Sequence, residues 1–498
     1  MNKSIMYLLY FTIYTIILLL FGKGGFKRTK NARDFFVAVN SLGLAASIFT
    51  FSATWFSAAS MQGLTGSMYA YGYNIVLYAV VPWFLGATCL VLLATRLKKY
   101  DIITVPEYFY MRYNSKGLQA MGGLVIVITY ILYIIIQIRG FGIVISELLD
   151  INYTFAIVLV YLFVIYTTFG GLFSVVRTDG LNFILIIVGT LLAVVLILRN
   201  VGSVTLMHEG AALINTRPFP AFPHVTEKGA LLDTFSKGAY TPLLTFTSFF
   251  GWGLGLAANP QYAIRISSAK NTKTAVKMVC FSVLILAFLY LGLFIIGIGG
   301  RVLVPTIHSI ASVDEVFPYL INNVIYSPFS GLILISIMAA AISTANSQLL
   351  VAASGFSYDI YRNLINPEID DDQLLTMNRI FIFVAGTISL ILSLNPPDSL
   401  LIYGGHIWGA FSVSFLLPLY GGIFWNKATK EGAIASFIGG LIILIGFILK
   451  NRIIISKADE MVHPAFPGFI GAVIIFYFVS HYSYKTLKNV EDPVMLEK

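Results

Sequence analysis

Long apolar runs separated by short polar connections dominate the chain. A transmembrane helix needs roughly 20 apolar residues, and thirteen runs of about that length occur. The pattern predicts an all-α polytopic membrane protein with about thirteen transmembrane helices. These runs, called spans 1–13 in chain order, cover residues 5–21, 42–66, 73–95, 119–148, 153–170, 180–198, 240–264, 278–299, 324–353, 378–394, 399–424, 431–449 and 463–482.

Span 9 carries polar residues where lipid favours apolar ones. Four small or hydroxyl residues follow the spacing i, i+3, i+4 and i+7 and so share one helix face: Ala340, Ser343, Thr344 and Ser347. Hydroxyl and carbonyl oxygens are ligands for a hard, singly charged ion. The alternative is a packing seam of small residues whose hydroxyls bond to their own helix. This stretch alone leaves both interpretations open.

Spans 2 and 7 contain residues that interrupt a helix. Small and hydroxyl residues crowd span 2 between Ser52 and Gly66, and span 7 has three glycines in 251–255 followed by Asn259 and Pro260. A glycine weakens a helix by about 1 kcal/mol relative to alanine. Interrupted helices at matching positions of two halves mark the binding site of a transporter. The alternative is that the glycines only permit close packing.

The distance between the two interrupted spans predicts an internal repeat. They are five spans apart, and because five is odd, a five-helix repeat returns with inverted topology. The predicted divisions are 1–40 (an additional helix and a basic cytoplasmic loop), 41–199 (first repeat), 200–239 (extracellular loop), 240–425 (second repeat) and 426–498 (two further helices and a cytoplasmic tail).

Composition and charge fit a membrane protein. Of 498 residues, 58% are hydrophobic and 11% charged, whereas a soluble domain has about 25% charged residues. Alternate loops carry 22 and 9 lysines and arginines, which predicts an external N-terminus and a cytoplasmic C-terminus in the plasma membrane. The net charge of +9 therefore reflects topology and does not indicate nucleic-acid binding. Cys89 and Cys280 give neither a disulfide framework nor a metal-ligand spacing.

Several stretches, taken together and in order, resemble the sodium:solute symporter family. The resemblance extends over nearly the whole chain and implies the leucine-transporter-type fold, with sodium-coupled uptake by alternating access. The stretches are Ser57 to Gly66, Phe169-Gly170-Gly171 with Arg177-Thr178-Asp179, Gly251-Trp252-Gly253-Leu254-Gly255 with Arg265 and Lys270, and Ala340 to Leu350 followed by Tyr358-Asp359-Ile360-Tyr361.

The same resemblance implies positions for coupling ions. The main sodium site maps onto Ala53, Phe56, Ala340, Ser343 and Thr344. A second sodium site, found in some relatives, maps onto Asp179, Ser343, Asn346 and Ser347. Asn346 stands where those relatives have serine, and Asp179 has the alternative role of a helix-start residue near the inner surface.

A substrate pocket is implied between the core helices. The matching side chains are Trp55, Ser57 and Ser60 on span 2, Gln137 on span 4 and Trp252 on span 7. The two tryptophans suggest an apolar floor and lid for a small solute. Sugar-carrying relatives have amide and acidic side chains on these helices and a lysine in the seventh core helix. A sugar is therefore disfavoured.

Two further residues are candidates for the pocket. Arg139 lies within span 4, where an arginine costs about 2.5–3.5 kcal/mol on insertion scales. It could pair with a substrate carboxylate, pair with a carbonyl, or extend to the membrane surface. His406 on span 11 is a candidate by position only, and a helix–helix hydrogen bond is the alternative.

The sequence therefore predicts a sodium-coupled symporter for a small organic acid or amino acid, of the monocarboxylate, pantothenate or proline type. Sodium is the expected coupling ion, and no cofactor, catalytic residue or obligate protein partner is expected. Proton coupling on the same fold is the second hypothesis, which the near absence of intramembrane carboxylates disfavours. A channel or an intramembrane enzyme is disfavoured further, because neither a pore loop nor a cluster of catalytic residues is present.

Overall fold

The computed structural model describes residues 3–26, 32–37, 42–220, 227–310, 312–397, 399–453 and 461–486, and these are almost entirely helical. The α-helices are α1 (Lys3–Phe26), α2 (Ala32–Val37), α3 (Leu44–Trp55), α4 (Thr65–Tyr71), α5 (Val81–Leu97), α6 (Val105–Tyr113), α7 (Lys116–Leu149), α8 (Tyr153–Thr168), α9 (Gly171–Val201), α10 (Val204–Leu213), α11 (Pro242–Ala258), α12 (Pro260–Ser268), α13 (Thr272–Leu303), α14 (Val316–Tyr319), α15 (Ser330–Phe356), α16 (Asp371–Leu392), α17 (Leu400–Ser414), α18 (Gly422–Phe424), α19 (Lys430–Ile453) and α20 (Ala465–Thr486).

The described ranges also contain five π-helical segments and three 3₁₀ turns. The π-helical segments extend α-helices at their ends and are Ala59–Leu64, Val76–Val80, Leu320–Val324, Ser357–Ile365 and Leu417–Gly421. The 3₁₀ turns lie in the longer connections and are Ala230–Leu232, Ser236–Gly238 and Val313–Glu315.

The number of helices that can cross a membrane differs from the predicted thirteen. Ten helices in the described ranges are long and apolar enough, and the bent pair Leu44–Trp55 and Ala59–Tyr71 makes an eleventh. The other two predicted spans are shorter: α8 has 16 residues, and span 7 is divided into helices of 17 and nine residues. The spans of an all-helical membrane protein are thus found, while the total of thirteen remains a prediction.

Both interrupted spans are broken helices. The first bends by 57° between Leu44–Trp55 and Ala59–Tyr71, because Phe56 leaves the helical region with φ −82° and ψ 93°. The second breaks at Asn259, with φ −73° and ψ 122°. Asn259 caps the following helix through its side chain, and Pro260 begins it, which suits proline because the first helical N–H has no intrahelical acceptor. The glycines at 251–255, by contrast, lie inside α11.

The broken helices meet at one end of the molecule. Leu42, just before α3, donates its N–H to the carbonyl of Ser268 at 3.4 Å and accepts from Lys270 at 3.1 Å. The start of the first broken helix is thus joined to the end of the second. An inverted repeat would bring opposite ends of equivalent helices to the same side, and the five-plus-five repeat itself remains a prediction.

Helix α15 is the centre of the molecule. It is buried along almost its whole length and packs against α7 and α9 on one side and α3 and α12 on another. Helix α1 lies at the periphery on α9, where Tyr14 donates to Asn182 at 3.1 Å. Helices α19 and α20 pack on each other and on α17. The core is therefore formed by α3–α17.

The segment predicted as an extracellular loop, 200–239, is partly helical. It contains α10 and two 3₁₀ turns, while residues 221–226 lie outside the described residues, as does most of the predicted tail.

A second connection, before α14, lies on α4. A Cβ at Gly66 would be 1.7 Å from the carbonyl oxygen of Val313, so this close approach needs glycine.

Candidate functional site

The hydroxyl face of α15 contacts the broken end of α3. Ser343 donates to the carbonyl of Ala53 at 2.9 Å, and Thr344 donates to the carbonyl of Thr54 at 3.2 Å. Both hydroxyls also reach the carbonyl of Ala340, at 3.1 and 3.2 Å. The last carbonyls of α3 have no N–H donor within their own helix, which is why they can accept from hydroxyls of α15.

These atoms fit a sodium ion. They are neutral hydroxyl and carbonyl oxygens that converge from two helices in a buried position, and a hard cation prefers such oxygen ligands. Four of the five residues predicted for the main site are brought together: Ala53, Ala340, Ser343 and Thr344. Phe56 lies at the break itself, with its ring 5.2 Å from that of Tyr290. The sequence analysis missed Thr54, whose carbonyl also accepts from Gln261 at 3.4 Å.

The residues predicted for a second sodium ion have other partners. Asp179 is fully buried and accepts from Thr50 at 2.6 Å, and its Oδ2 lies 3.6 Å from Nη2 of Arg265. Ser347 accepts from Arg265 at 2.6 Å. Asn346 accepts from the hydroxyl of Thr167 at 2.7 Å. Asp179 therefore lies within α9 in a buried ion pair and does not begin a helix.

An aromatic cluster lies beside the break. Trp252 is 5.0 Å from Trp83 and 5.1 Å from Trp408 between ring centroids, and glycines of α17 allow it to approach, because a Cβ at Gly405 would lie 2.9 Å from its Nε1. We call the aromatic cluster the set of Trp55, Trp83, Tyr133, Trp252, Tyr262, Tyr290 and Trp408, which are linked by ring contacts of 5.0–6.0 Å.

Polar groups border the aromatic cluster. Gln137 accepts from the N–H of Ala58 at 3.1 Å, just after the break, and Ser60 lies 3.1 Å from the hydroxyl of Tyr290. Ser57 is buried beside Tyr133. Within the described part of the chain, the Nε2 atom of Gln137 is buried without a hydrogen-bond partner. The predicted pocket residues of spans 2, 4 and 7 therefore surround one region, next to the sodium-site atoms.

The family model of the sodium:solute symporter family matches residues 35–440. The chain belongs to the sodium:solute symporter family. The symporter is similar to two sodium/proline symporters of Staphylococcus aureus, from strains USA300 and NCTC 8325, at 27% and 26% identity over 495 residues; each alignment covers 96% of this chain and 93% of the relative. It is a multi-pass protein of the plasma membrane that carries a small organic solute together with Na⁺, which confirms the predicted class of function and coupling ion.

Solved structures confirm the leucine-transporter-type fold of the symporter. A Na⁺-coupled sialic acid symporter, solved substrate-bound and outward-open, superposes with a TM-score of 0.78 at 20% identity, covering 97% of this chain and 98% of the other. A transporter of the nucleobase-cation-symport-1 family superposes with a TM-score of 0.55 at 14% identity, covering 92% and 96%. At these identities the similarity concerns the fold.

The symporter pairs Arg139 with groups of its own chain. The guanidinium hydrogen-bonds the carbonyl of Pro397 and the hydroxyl of Ser312, and its Nη2 lies 3.4 Å from Oδ2 of the fully buried Asp314. Asp314 in turn accepts from the N–H of Leu400 at 3.2 Å. Burial raises the pKa of Asp314 from 3.8 to about 6, and the nearby guanidinium opposes this shift. Arg139 thus links α7 to the segment between α13 and α14 and to the segment between α16 and α17.

His406 of the symporter lies beside a second histidine. Its ring centroid is 5.2 Å from that of His463, which precedes α20. A Cβ at Gly251 would lie 2.2 Å from the His463 ring, so the histidine pair packs against α11. The ring contact joins α17 to the segment before α20, and both a pocket role and a helix–helix hydrogen bond of His406 remain predictions.

Sequence reasoning missed most of the aromatic cluster of the symporter. Trp83, Tyr262, Tyr290 and Trp408 are each at most 3% exposed, yet aromatic residues make up 14% of the chain. Because aromatic residues are so common in this chain, the sequence does not distinguish the few that lie beside the break. Gln62 was also missed: it is fully buried in the π-helical segment Ala59–Leu64, and neither of its amide atoms has a partner in the described ranges.

Proposed function

We propose that the solute is a small carboxylate or amino acid that binds in the aromatic cluster, beside a sodium ion held by Ala53, Phe56, Ala340, Ser343 and Thr344. The observation that carries this proposal is the junction of Ser343 and Thr344 with the last carbonyls of α3, directly before the break. Sodium bound there orders the break and so improves solute binding, and by linkage the solute tightens sodium binding equally.

The polar atoms around the aromatic cluster favour a carboxylate. Nε2 of Gln137 and Gln62 and the indole Nε1 of Trp252 are buried N–H donors with no acceptor among the described residues. A buried donor left unpaired costs about 1–3 kcal/mol, and a carboxylate oxygen removes that cost. The similarity to sodium/proline symporters supports an amino acid as the solute, with its apolar part in contact with the aromatic side chains.

The predicted topology is part of the proposal. Thirteen spans in a five-plus-five inverted repeat, with an external N-terminus, leave two polar clusters on α7 near opposite membrane surfaces. Gln119 donates to Asp359 at 2.9 Å, and Arg139 pairs with Asp314. Twenty residues of helix separate them by about 30 Å, the thickness of the hydrocarbon core. We assign the Arg139 cluster to the outer side, where it closes the path to the solute.

A thermal-stability screen of the purified protein tests the solute class and its coupling together. Small carboxylates, amino acids and sugars are added in sodium and again in potassium. A ligand that binds the folded state raises the melting temperature by mass action, and we expect a carboxylate or an amino acid to do so in sodium only. Equal stabilisation in both salts contradicts the proposed sodium coupling at this site and favours proton coupling, while stabilisation by a sugar contradicts the solute class.

Replacement of Gln137 by glutamate tests the carboxylate contact. The change is nearly isosteric and keeps an oxygen for the N–H of Ala58, but it replaces the Nε2 donor with an acceptor. We expect the KM for the solute in sodium-driven uptake to rise at least about tenfold, since a hydrogen bond to a charged group contributes about 1.5–3 kcal/mol. The sodium affinity without solute serves as the control and should stay unchanged. An unchanged KM argues against Gln137 as a solute contact.

A further inference from the structure

The buried cluster around Asp179 contains a cation that belongs to the chain. Arg265 is fully buried, and its Nη2 lies 3.6 Å from Asp179 Oδ2 and 2.6 Å from Ser347 Oγ. Its Nε lies 3.1 Å from the hydroxyl of Thr50, which donates to the same aspartate at 2.6 Å. One guanidinium thus contacts oxygen atoms of α3, α9 and α15.

Two of these oxygens belong to two of the four residues predicted for a second sodium ion, Asp179 and Ser347. The other carboxylate oxygen, Asp179 Oδ1, is buried without a hydrogen-bond partner among the described residues. A guanidinium carries only donors and is always charged, so it cannot be a ligand of another cation. A sodium ion on Asp179 would lie within a few ångströms of this like charge, in a buried site where charges are poorly screened. The residues around Asp179 therefore do not fit a second sodium ion while Arg265 is paired with them.

Asn346 leads to the same conclusion through different contacts. Its Oδ1 accepts from Thr167 at 2.7 Å and from Thr168 at 3.2 Å, and both threonines belong to α8. The side-chain oxygen of Asn346 thus already has two hydrogen-bond donors, neither of which is Arg265. A serine at this position would offer a hydroxyl, whereas the amide ties α15 to α8.

We propose that Arg265 takes the place of a second coupling ion, so that this symporter binds one sodium ion in each transport cycle. This inference rests on the main sodium site of the proposed function, and it adds the number of sodium ions that move with each solute molecule. A permanent cation neutralises Asp179 and holds Ser347 in position in every conformation in which the pair persists. The charge moved with each solute is then set by the main site alone.

Binding of sodium-22 to the purified wild-type protein tests this inference. We expect one ion per protein at saturation and a Hill coefficient of about 1 for sodium activation of uptake. Two ions per wild-type protein, reduced to one by Asp179→Asn, would overturn the inference. No binding at all would instead contradict the main site, so the two failures are distinguishable.

Variants of Arg265 provide the complementary test. Arg265→Ala removes the cation and leaves Asp179, Thr50 and Ser347 with free oxygens, so we expect a second sodium ion to bind, with a Hill coefficient of about 2 and a larger sodium-induced rise in melting temperature. Arg265→Lys keeps the charge and is the matched control, with one ion expected. A folded Arg265→Ala protein that still binds one ion contradicts the inference, and if that variant does not fold, the wild-type count decides.

Discussion

Replacing Ser343 and Thr344 together by alanine is expected to abolish sodium-dependent uptake at sodium concentrations that saturate the wild-type protein. In the proposed site each hydroxyl is a ligand of the ion. A hydrogen bond to a charged group contributes about 1.5–3 kcal/mol, which corresponds to about 10- to 100-fold in affinity for each residue. Because the two contacts share Ala340 as a partner, their effects need not add. The measurement is the sodium concentration that gives half-maximal uptake in proteoliposomes.

Ser354→Ala is the matched control for this double variant. Ser354 is also buried on α15, but its hydroxyl bonds only to its own helix, at the carbonyl of Val351, 2.8 Å away. It should leave the sodium affinity unchanged. If the double variant retains the wild-type sodium affinity and loses only thermal stability, then Ser343 and Thr344 form a packing seam, which was the alternative interpretation of the sequence.

The hydroxyl stripe was predictable because helical spacing is a local property. Once 330–356 is a helix, Ala340, Ser343 and Thr344 must share a face. Which carbonyls that face would meet depends on how α3 docks, over a separation of 290 residues. Thr54 was therefore missed although it immediately follows Ala53.

The broken helices could be located from sequence for a similar reason. Asn259 and Pro260 end α11 through backbone chemistry that acts locally, so the break falls at the expected residues. The glycines at 251–255 have another function: the backbone of Gly253 packs against α5, where a Cβ at Gly86 would lie 2.1 Å from its carbonyl oxygen. Close packing of this kind depends on the partner helix, which composition does not reveal.

Buried ion pairs were the least predictable part of the site. Arg265 and Asp179 are 86 residues apart, and Arg139 and Asp314 are 175 apart. Asp314 lies in a polar connection, where sequence gives no sign that a carboxylate is buried. The cost of Arg139 in a span could be derived from its charge, but its partner could not, because a single arginine can pair with solute, carbonyl or carboxylate.

Arg139→Gln is expected to lower the melting temperature of the protein strongly. It leaves Asp314 buried without its cationic partner, and breaking a buried ion pair by removing one member costs about 3–5 kcal/mol. The double variant Arg139→Gln with Asp314→Asn removes both charges and should recover most of the lost melting temperature, so that the four proteins form a double-mutant cycle. If Arg139 instead binds the solute carboxylate, Arg139→Gln raises the KM with little change in melting temperature, and Asp314→Asn gives no rescue.

The pH dependence of the same cycle follows from the pKa of Asp314. Its pKa is about 6 when buried and 3.8 as its ordinary value, so the folded protein binds more protons than the unfolded chain between these pH values. Protonation of Asp314 therefore contributes to folding stability fully below about pH 4, and this contribution is lost as the pH rises through 6. Removing Arg139 strengthens the preference for the neutral acid, because the guanidinium opposed the rise. The stability defect of Arg139→Gln should accordingly be large at pH 7.5 and shrink toward pH 5. The double variant lacks the titrating group, so the difference between its melting temperature and that of the Asp314→Asn single variant should be the same at both pH values.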